Sequence, residues 1–597
     1  MVFITIVFMI LTFWTWRKWP DLLRDFGREI YIPWQINVGK VLYKDIAYRH
    51  GPLAPYLNAI WFRFFGVSLN TLIYCNLSII ITIVSLIFVQ IKDICDRTTS
   101  VMACIVFLCT AAFRQFNEMG SFDFVCPYDH SATHGIVLSF FMIYCLSSYL
   151  RKPKKLMLVL AGLTCGLVFL TKVEIFAPLA VTGIVGMMFI NYKSKLGIRN
   201  VYKIFLLFVV SMTVPLTLFL FYFSSKMPFS QALQGVLGDW VFIFKTHITN
   251  IYFFKKGMGT DQPIYNIARA IFSLIILFII MCVGLIQERV GHKTRMAIVW
   301  SFFFLGLYCT LGYLFYKNII LNIILILFDI IYRPLFLTTL LLLLLIGYLI
   351  YMKKEYIKHE NMAPFILLTI FGMLTLGKMI LNCRIEGYGF ILPMPAMLVN
   401  VILFVWFVPI ILRNEYGNGE TFRKLAILWF SLISICALII SNYYYSKKDY
   451  VIGKGNDYFL SYGPEYATDG LAVNMAIKRI KETTSSDDNF TPIPEGLIIN
   501  YLMRRPSPFR YDDITPGELT SYGESAILDS LKNSHPKFIL LIHRSSMEFG
   551  VGFFGSDPRN GKRIMDWIKS QYTCVWQLLN EPLKDNNFGI EMLQRVN

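Results

Sequence analysis

The stretch LFLTTLLLLLLIGYLIY, residues 335–351, carries neither a charge nor a proline. The hydrocarbon core of a bilayer is crossed by about 20 apolar residues in a helix, and this run approaches that length. LSIIITIVSLIFV at 77–89 reads the same way. The whole chain follows suit. Of its 597 residues 56% are hydrophobic and only 16% charged, and the mean hydropathy is +0.56. A soluble protein needs far more polar surface, so the sequence specifies a polytopic α-helical membrane protein.

Working outward from these runs, we read about 13 spans: 1–16, 69–91, 101–116, 134–150, 156–171, 174–191, 203–223, 264–286, 296–316, 333–352, 363–382, 390–412 and 424–441. The apolar piece 319–331 is read as re-entrant or interfacial. Segment 1–16 is read as an anchor, because it lacks the basic start and small-residue cleavage site of a signal peptide. Basic loops at 92–100, 151–155, 191–203, 287–295, 353–360 and 413–424 fall at every second connection. The positive-inside rule puts all six in the cytoplasm, with the N-terminus inside and the C-terminal tail outside. The formal charge of +18 is thereby accounted for by cytoplasmic loops, and nucleic acid is not expected as a partner. The 12 cysteines sit mostly in apolar runs without a CxxC pair and read as small hydrophobes.

Residues 1–441 thus form a transmembrane domain, and 442–597 an extracytoplasmic domain of different composition. In the tail, LAVNMAIKRIKETT (471–484) and ESAILDSLKNS (524–534) have helical periodicity, whereas KFILLIH (537–543) and TCVWQLL (573–579) read as strands. That alternation suggests a small α/β domain. It contains no GxGxxG or P-loop, so no nucleotide chemistry is assigned to it. The first outer loop, 17–68, is rich in aromatics, proline and charge, and PYLNAIWFRFFG at 55–66 reads as an interfacial helix.

An ionisable residue within a span costs a few kcal/mol, about 2.5–3.5 on insertion scales, unless it meets water or a partner. Lys172 and Glu174 lie in FLTKVEIF, and Lys378, Arg384 and Glu386 in GKMILNCRIEGYGF, each at the outer end of a span; Arg333 in YRPLF is a third case. Two readings stand: turns whose charges reach the interface, or cations gathered to receive an anionic lipid headgroup. In NEMGSFDFVCPYDHSATHG (117–135), His130 and His134 are four apart and share a helix face. With Asp129 they offer two imidazoles and a carboxylate for a divalent metal, against the plain reading of interfacial histidines. In LLRDFGREIYIPWQ (22–35), Asp25 and Glu29 are four apart, as are Arg24 and Arg28, although Gly27 weakens the helix that would align them.

These residues carry a resemblance. RDFGREIYIPWQINVGKVLYKDIAYRHGPLAPYLNAIWFRFFG (24–66) resembles the first outer loop of GT-C glycosyltransferases of the protein-mannosyltransferase and lipid A aminoarabinose transferase group. GLVFLTK (166–172) is similar to that group's FLTKG segment, and PEGLIINYLMRRPSPFRY (494–511) and GESAILDSLKNSHPKFILLIHRSSMEFG (523–550) resemble its bacterial members. The resemblance implies a GT-C-like membrane domain in a bacterial cytoplasmic membrane. It also implies an active site on the outer face and a sugar donor linked to polyprenyl phosphate. Asp25 stands where the family has its catalytic base, with Glu29 and Asp45 as reserves. Lys172 stands where the family has the lysine associated with the lipid phosphate. Two departures are plain: RHGPL (49–53) replaces an acidic-Lys-Pro-Pro-Leu motif, and PYDHSATHG replaces an aromatic pattern.

Transfer from a lipid phosphate suits this inventory. Phosphate is already a good leaving group, so one carboxylate to take the acceptor's proton suffices, where a glycosidase needs two. Cations then stabilise the departing phosphate. The expected reaction is an inverting single displacement, with Asp25 as base and Lys172 and Arg384, supported by Lys378 and Arg333, at the phosphate. The acceptor is a lipid, polysaccharide or protein hydroxyl. A transporter or flippase for a lipid-linked or anionic substrate is the alternative, although no internal repeat supports it.

Overall fold

In lipid a backbone has to satisfy its own hydrogen bonds, so apolar runs of this length become helices. The computed structural model describes residues 1–194, 198–289, 317–352, 359–416 and 418–596. Within them, 9 helices are long and apolar enough to cross a membrane, and three shorter apolar helices, Val2–Trp14, Arg97–Ala112 and Lys155–Phe169, accompany them. Every expected span has a helix except 296–316, which lies outside the described residues, as do most of the basic loops 287–295 and 353–360. The piece 319–331 is corrected. It belongs to a helix, Lys317–Tyr332, and helical structure from Ile324 to Tyr351 is continuous enough to count as one span. Its apolar residues extend the neighbouring span instead of lying beside it.

Close packing inside the bundle uses small residues where the hydrophobic effect gives no help. Gly162 and Gly166, four apart on helix Lys155–Phe169, face helix Ile198–Ser224; a Cβ on either would come within 2.5 Å of the Phe208 carbonyl oxygen or 2.1 Å of that of Met212.

The first long connection folds into two helices, Phe26–Asn37 and Leu53–Phe65. The second buries Ala54, Asn58 and Phe62 while Ile60, Phe64 and Phe65 remain exposed, which leaves an apolar face for lipid. The first packs on the tail. A Cβ on Gly27 would lie 2.8 Å from the backbone nitrogen of Ile498, so glycine is what allows helix Phe26–Asn37 to touch helix Leu497–Met503. The residue that weakens the helix on propensity is the one its packing requires.

The last long helix ends at Tyr445, and the tail begins with an antiparallel pair, β1 (Lys448–Ile452) and β2 (Phe459–Tyr462). A four-stranded sheet follows, built from β3 (Phe490–Ile493), β4 (Phe538–Ile542), β5 (Tyr572–Leu579) and β6 (Gly589–Arg595) in the order β3-β4-β6-β5. β3 and β4 are parallel, with Phe490 opposite Phe538, and the other pairs are antiparallel. Helices Asp469–Thr483 and Glu524–Ser534 stand where periodicity placed them. One hydrophobic core runs from Ile4 through the bundle to Ile498, Leu540 and Met592, so the tail shares the core of the membrane helices. Asp457 reinforces the joint by accepting from the backbone N–H of Leu69, at the start of helix Leu69–Ile94, at 2.8 Å.

Candidate active site

The start of helix Phe26–Asn37 places three charged side chains in a row. Arg28 lies 3.7 Å from Asp25, 3.5 Å from Glu29 and 3.3 Å from Asp513 of the tail. The two carboxylates of the i, i+4 pair fare differently. Glu29 is 6% exposed and turns inward, where Oε2 accepts from both the backbone N–H and Nδ1 of His130, each at 2.8 Å. Asn76 donates to the other ring nitrogen of His130 at 3.0 Å, which fixes the tautomer with its proton on the Glu29 side. Asp25 keeps 39% of its side-chain surface. Removal of hydration by the surrounding protein nevertheless pushes its carboxyl up to about 7, against the pull of Arg28.

A second row begins one residue before His130. Asp129 caps helix His130–Arg151, its Oδ1 accepting from the Ser131 N–H at 2.7 Å, while Oδ2 meets Lys172 at 2.7 Å and His50 at 3.4 Å. Lys172 lies 3.7 Å from Glu174, which binds Lys378 at 3.0 Å. Both ammonium groups also face aromatic rings, Lys172 over Tyr128 at 5.0 Å and Lys378 over Tyr388 at 4.4 Å, and those two rings touch edge to face. His50 is held on its other side by Asp239 at 2.8 Å. Burial alone would raise the Asp129 carboxyl, but Lys172, His50 and Arg28 hold it well below the usual carboxylate range. Burial likewise opposes the Lys172 ammonium, and Asp129, Tyr128, Glu174 and Tyr388 together outweigh it, holding the group well above its ordinary value. The two rows meet at residues 128–130, where Arg28 donates to the Tyr128 carbonyl at 3.5 Å.

Asp25, Glu29, Asp129, His130, Lys172 and Lys378 are therefore in one electrostatic assembly. Three other sequence candidates are not joined to it by any ion pair or hydrogen bond among the described residues. Asp45 closes a local turn by accepting from the Val41 N–H at 2.8 Å. Arg333 is held by Asp329 at 3.3 Å and by Asn382, within a separate group that includes Arg269. Arg384 sits on the loop leading to Tyr388, its carbonyl against Gly389, and its buried Nε has no hydrogen-bond partner among the described residues.

The proposed metal ligands do not converge. Among the described residues no group of three or more His, Cys, Asp or Glu side chains is arranged to hold a metal ion. The i, i+4 spacing does bring the rings of His130 and His134 to 5.8 Å, but His130 is committed to Glu29 and Asn76, and Asp129 to Lys172. Spacing along one helix described a shared face correctly and missed the partners on other elements.

Sequence reading also missed most of those partners. Asp239 lies in a connection with no recognisable motif, and the tail supplies Asp513 to Arg28 and Glu518 to Arg49, the latter at 2.8 Å. The only signal was indirect: acidic residues in PFRYDDITPGEL (508–519) of opposite sign to the RHGPL segment.

A many-helix membrane domain, a C-terminal α/β tail and a charged assembly formed by the first long connection define the class: a polytopic α-helical membrane protein with a small C-terminal α/β domain. It is similar over 99% of its length, and over 97% of the other chain, to the crystal structure of ArnT from Cupriavidus metallidurans bound to undecaprenyl phosphate, with a TM-score of 0.50 at 9% identity. The Archaeoglobus fulgidus oligosaccharyltransferase, in a complex with zinc and sulfate, matches 90% of this chain and 67% of its own with a TM-score of 0.46 at 13% identity. No family model and no curated protein matches the sequence.

Proposed function

We propose that this protein is an integral-membrane glycosyltransferase that moves a sugar from a polyprenyl-phosphate donor to an acceptor hydroxyl. The observation that carries the reading is the joining of Asp25, a half-exposed carboxylate with its pKa raised to about 7, to the buried Lys172 and the partly buried Lys378 in one assembly. A base works best with a pKa near the operating pH, and a lipid phosphate needs cations at a membrane surface. The fold shared with ArnT, whose structure holds undecaprenyl phosphate, supports the donor class.

In this reading the acceptor oxygen attacks the anomeric carbon from the face opposite the phosphate. The bond to the phosphate oxygen breaks, configuration inverts, and the acceptor proton passes to Asp25. Polyprenyl phosphate leaves with the electron pair. Each ammonium has three N–H donors, and Glu174 takes one from Lys378, so both lysines retain capacity for phosphate oxygens. Glu29 holds helix Phe26–Asn37 against His130 in a positioning role. The positive-inside pattern supports an assembly on the outer face, and the resemblance of the tail supports a bacterial cytoplasmic membrane.

The test uses purified protein in lipid nanodiscs with a radiolabelled polyprenyl-phosphate sugar. Asp25→Asn is expected to lose at least about 10²-fold in sugar release or transfer, the scale of a general base, while still binding the lipid. Undiminished turnover in that variant, or movement of intact donor across the bilayer without bond cleavage, would overturn the assignment.

A further inference from the structure

Between the first outer loop and the tail lies a cavity of about 290 Å³, close to the lower end of the range for small-ligand sites. Leu22, Leu23 and Arg24, which lead directly into Asp25, form one wall. Glu495 and Arg544 form the opposite one, and with Asp21 they act electrostatically on Asp25, so the proposed base stands at the edge of this space. The charged network around Lys172 contributes nothing to its lining. The cavity is therefore separate from the cations assigned to the donor phosphate.

Its chemistry is of another kind. Three tyrosines, Tyr444, Tyr462 and Tyr466, line it, and Tyr466 is 57% exposed. As many Lys and Arg as Asp and Glu line it, and two of the four cations, Arg544 and Lys448, are held by protein oxygens. Arg544 is held by Glu495 at 2.8 Å and Glu548 at 2.9 Å; Lys448 donates to the Lys18 carbonyl at 2.7 Å; Lys447 lies on the rings of Tyr443 and Tyr466 at 3.7 and 5.1 Å. A phosphorylated acceptor calls for an excess of cations, and this lining has none, with four Lys and Arg against four Asp and Glu. A pyranose presents an apolar C–H face to an aromatic ring and a rim of hydroxyls that both donate and accept. Tyrosines beside a balanced set of carboxylates and cations match that pattern.

We infer that this cavity binds the acceptor, and that the acceptor is a neutral carbohydrate whose hydroxyl is delivered to Asp25. The inference rests on the transferase reading above and assigns its acceptor class. Tyr466 supplies an aromatic platform, and Asp469 and Glu118 on the same rim accept from sugar hydroxyls.

The experiment is saturation-transfer NMR on the full chain in nanodiscs. The probes are maltose, cellobiose and chitobiose, with glucosamine 1-phosphate and a Ser/Thr-rich peptide as competing classes. At least one neutral disaccharide should receive saturation from the protein. Tyr466→Ala should weaken that binding about tenfold, and Tyr466→Phe should preserve it. Because Tyr466 is largely exposed, its truncation is expected to leave the fold intact, and circular dichroism and the thermal midpoint check this. No disaccharide binding, equal binding in wild type and Tyr466→Ala, or preference for the phosphorylated sugar or the peptide would each refute the inference. Donor turnover on the same samples separates the two readings. If wild type releases sugar from the donor but binds no disaccharide, the carbohydrate site falls and the transferase stands. If the donor is never turned over, the transferase reading falls and takes the acceptor assignment with it.

Discussion

Replacing Asp129 by asparagine removes one charge while sparing most of the atoms around it. The carboxylate is fully buried, 2.7 Å from Lys172 and 3.4 Å from His50, and its other oxygen caps helix His130–Arg151 through the Ser131 N–H. Asparagine keeps the cap, since its amide oxygen accepts as well as a carboxylate oxygen. What it loses is the counter-charge. Lys172 and Lys378 are then left to share Glu174, at 3.7 and 3.0 Å. Removing one partner of a buried ion pair costs about 3–5 kcal/mol, and the nearby Glu174 argues for the lower end. Asp129→Ala should cost about 1 kcal/mol more, because the cap goes too. Asp129→Asn combined with Lys172→Met removes both charges and should recover much of the loss. The assay is the thermal midpoint in detergent, followed by the fluorescence of the 11 tryptophans. The linkage sign is definite. Lys172 depresses the native carboxyl, so its stabilisation is in place above the unfolded value of about 3.9 and fades only as pH falls below that. The part of the gap between wild type and Asp129→Asn that Lys172 supplies should thus be undiminished between pH 6 and pH 8. A midpoint for Asp129→Asn equal to wild type, or a double variant as unstable as the sum of the singles, would refute the electrostatic account.

Two further outcomes follow from the same geometry. With the Asp25 carboxyl raised to about 7 and the base active only when ionised, kcat/KM should climb about tenfold per pH unit up to pH 7 and level off above it; a flat profile from pH 5.5 to 7.5 would exclude Asp25 as the base. Gly27→Ala adds helix propensity worth up to about 1 kcal/mol, yet its Cβ would lie 2.8 Å from the Ile498 nitrogen and 3.2 Å from the Ile498 Cβ. Overpacking of about 1–3 kcal/mol should therefore win, lowering the thermal midpoint and the transfer rate together; a more stable and equally active variant would show that the two helices do not press on each other.

Gly27 also shows where sequence reading stops. Spans such as 335–351 were legible because lipid leaves the backbone one solution, and the hydropathy of a short window reports it. The tail's helices were legible for a related reason, since a 3.6-residue period reports one buried face. Asp25 and Lys172 stood out through chemistry that the membrane penalises and through their place in resembling segments. Their partners had no such mark. Asp129 looked like a metal ligand because only its neighbours on one helix could be counted, whereas its energy is set by Lys172 and His50, which come from other elements. Arg28 reads only beside Arg24, Asp25 and Glu29, and Arg49 only as part of RHGPL, yet Asp513 and Glu518, more than 460 positions later, are their counter-ions. Glycine at position 27 counted against a helix when weighed alone and is required once Ile498 is in view. In each case a local pattern described the residue's own element correctly and was silent on what packs across it. The tail thus supplies part of the environment of the first outer loop, and the raised carboxyl of Asp25 bears its mark: Glu495 of the tail pushes it up while Arg544 of the tail and Arg28 of the loop pull it down.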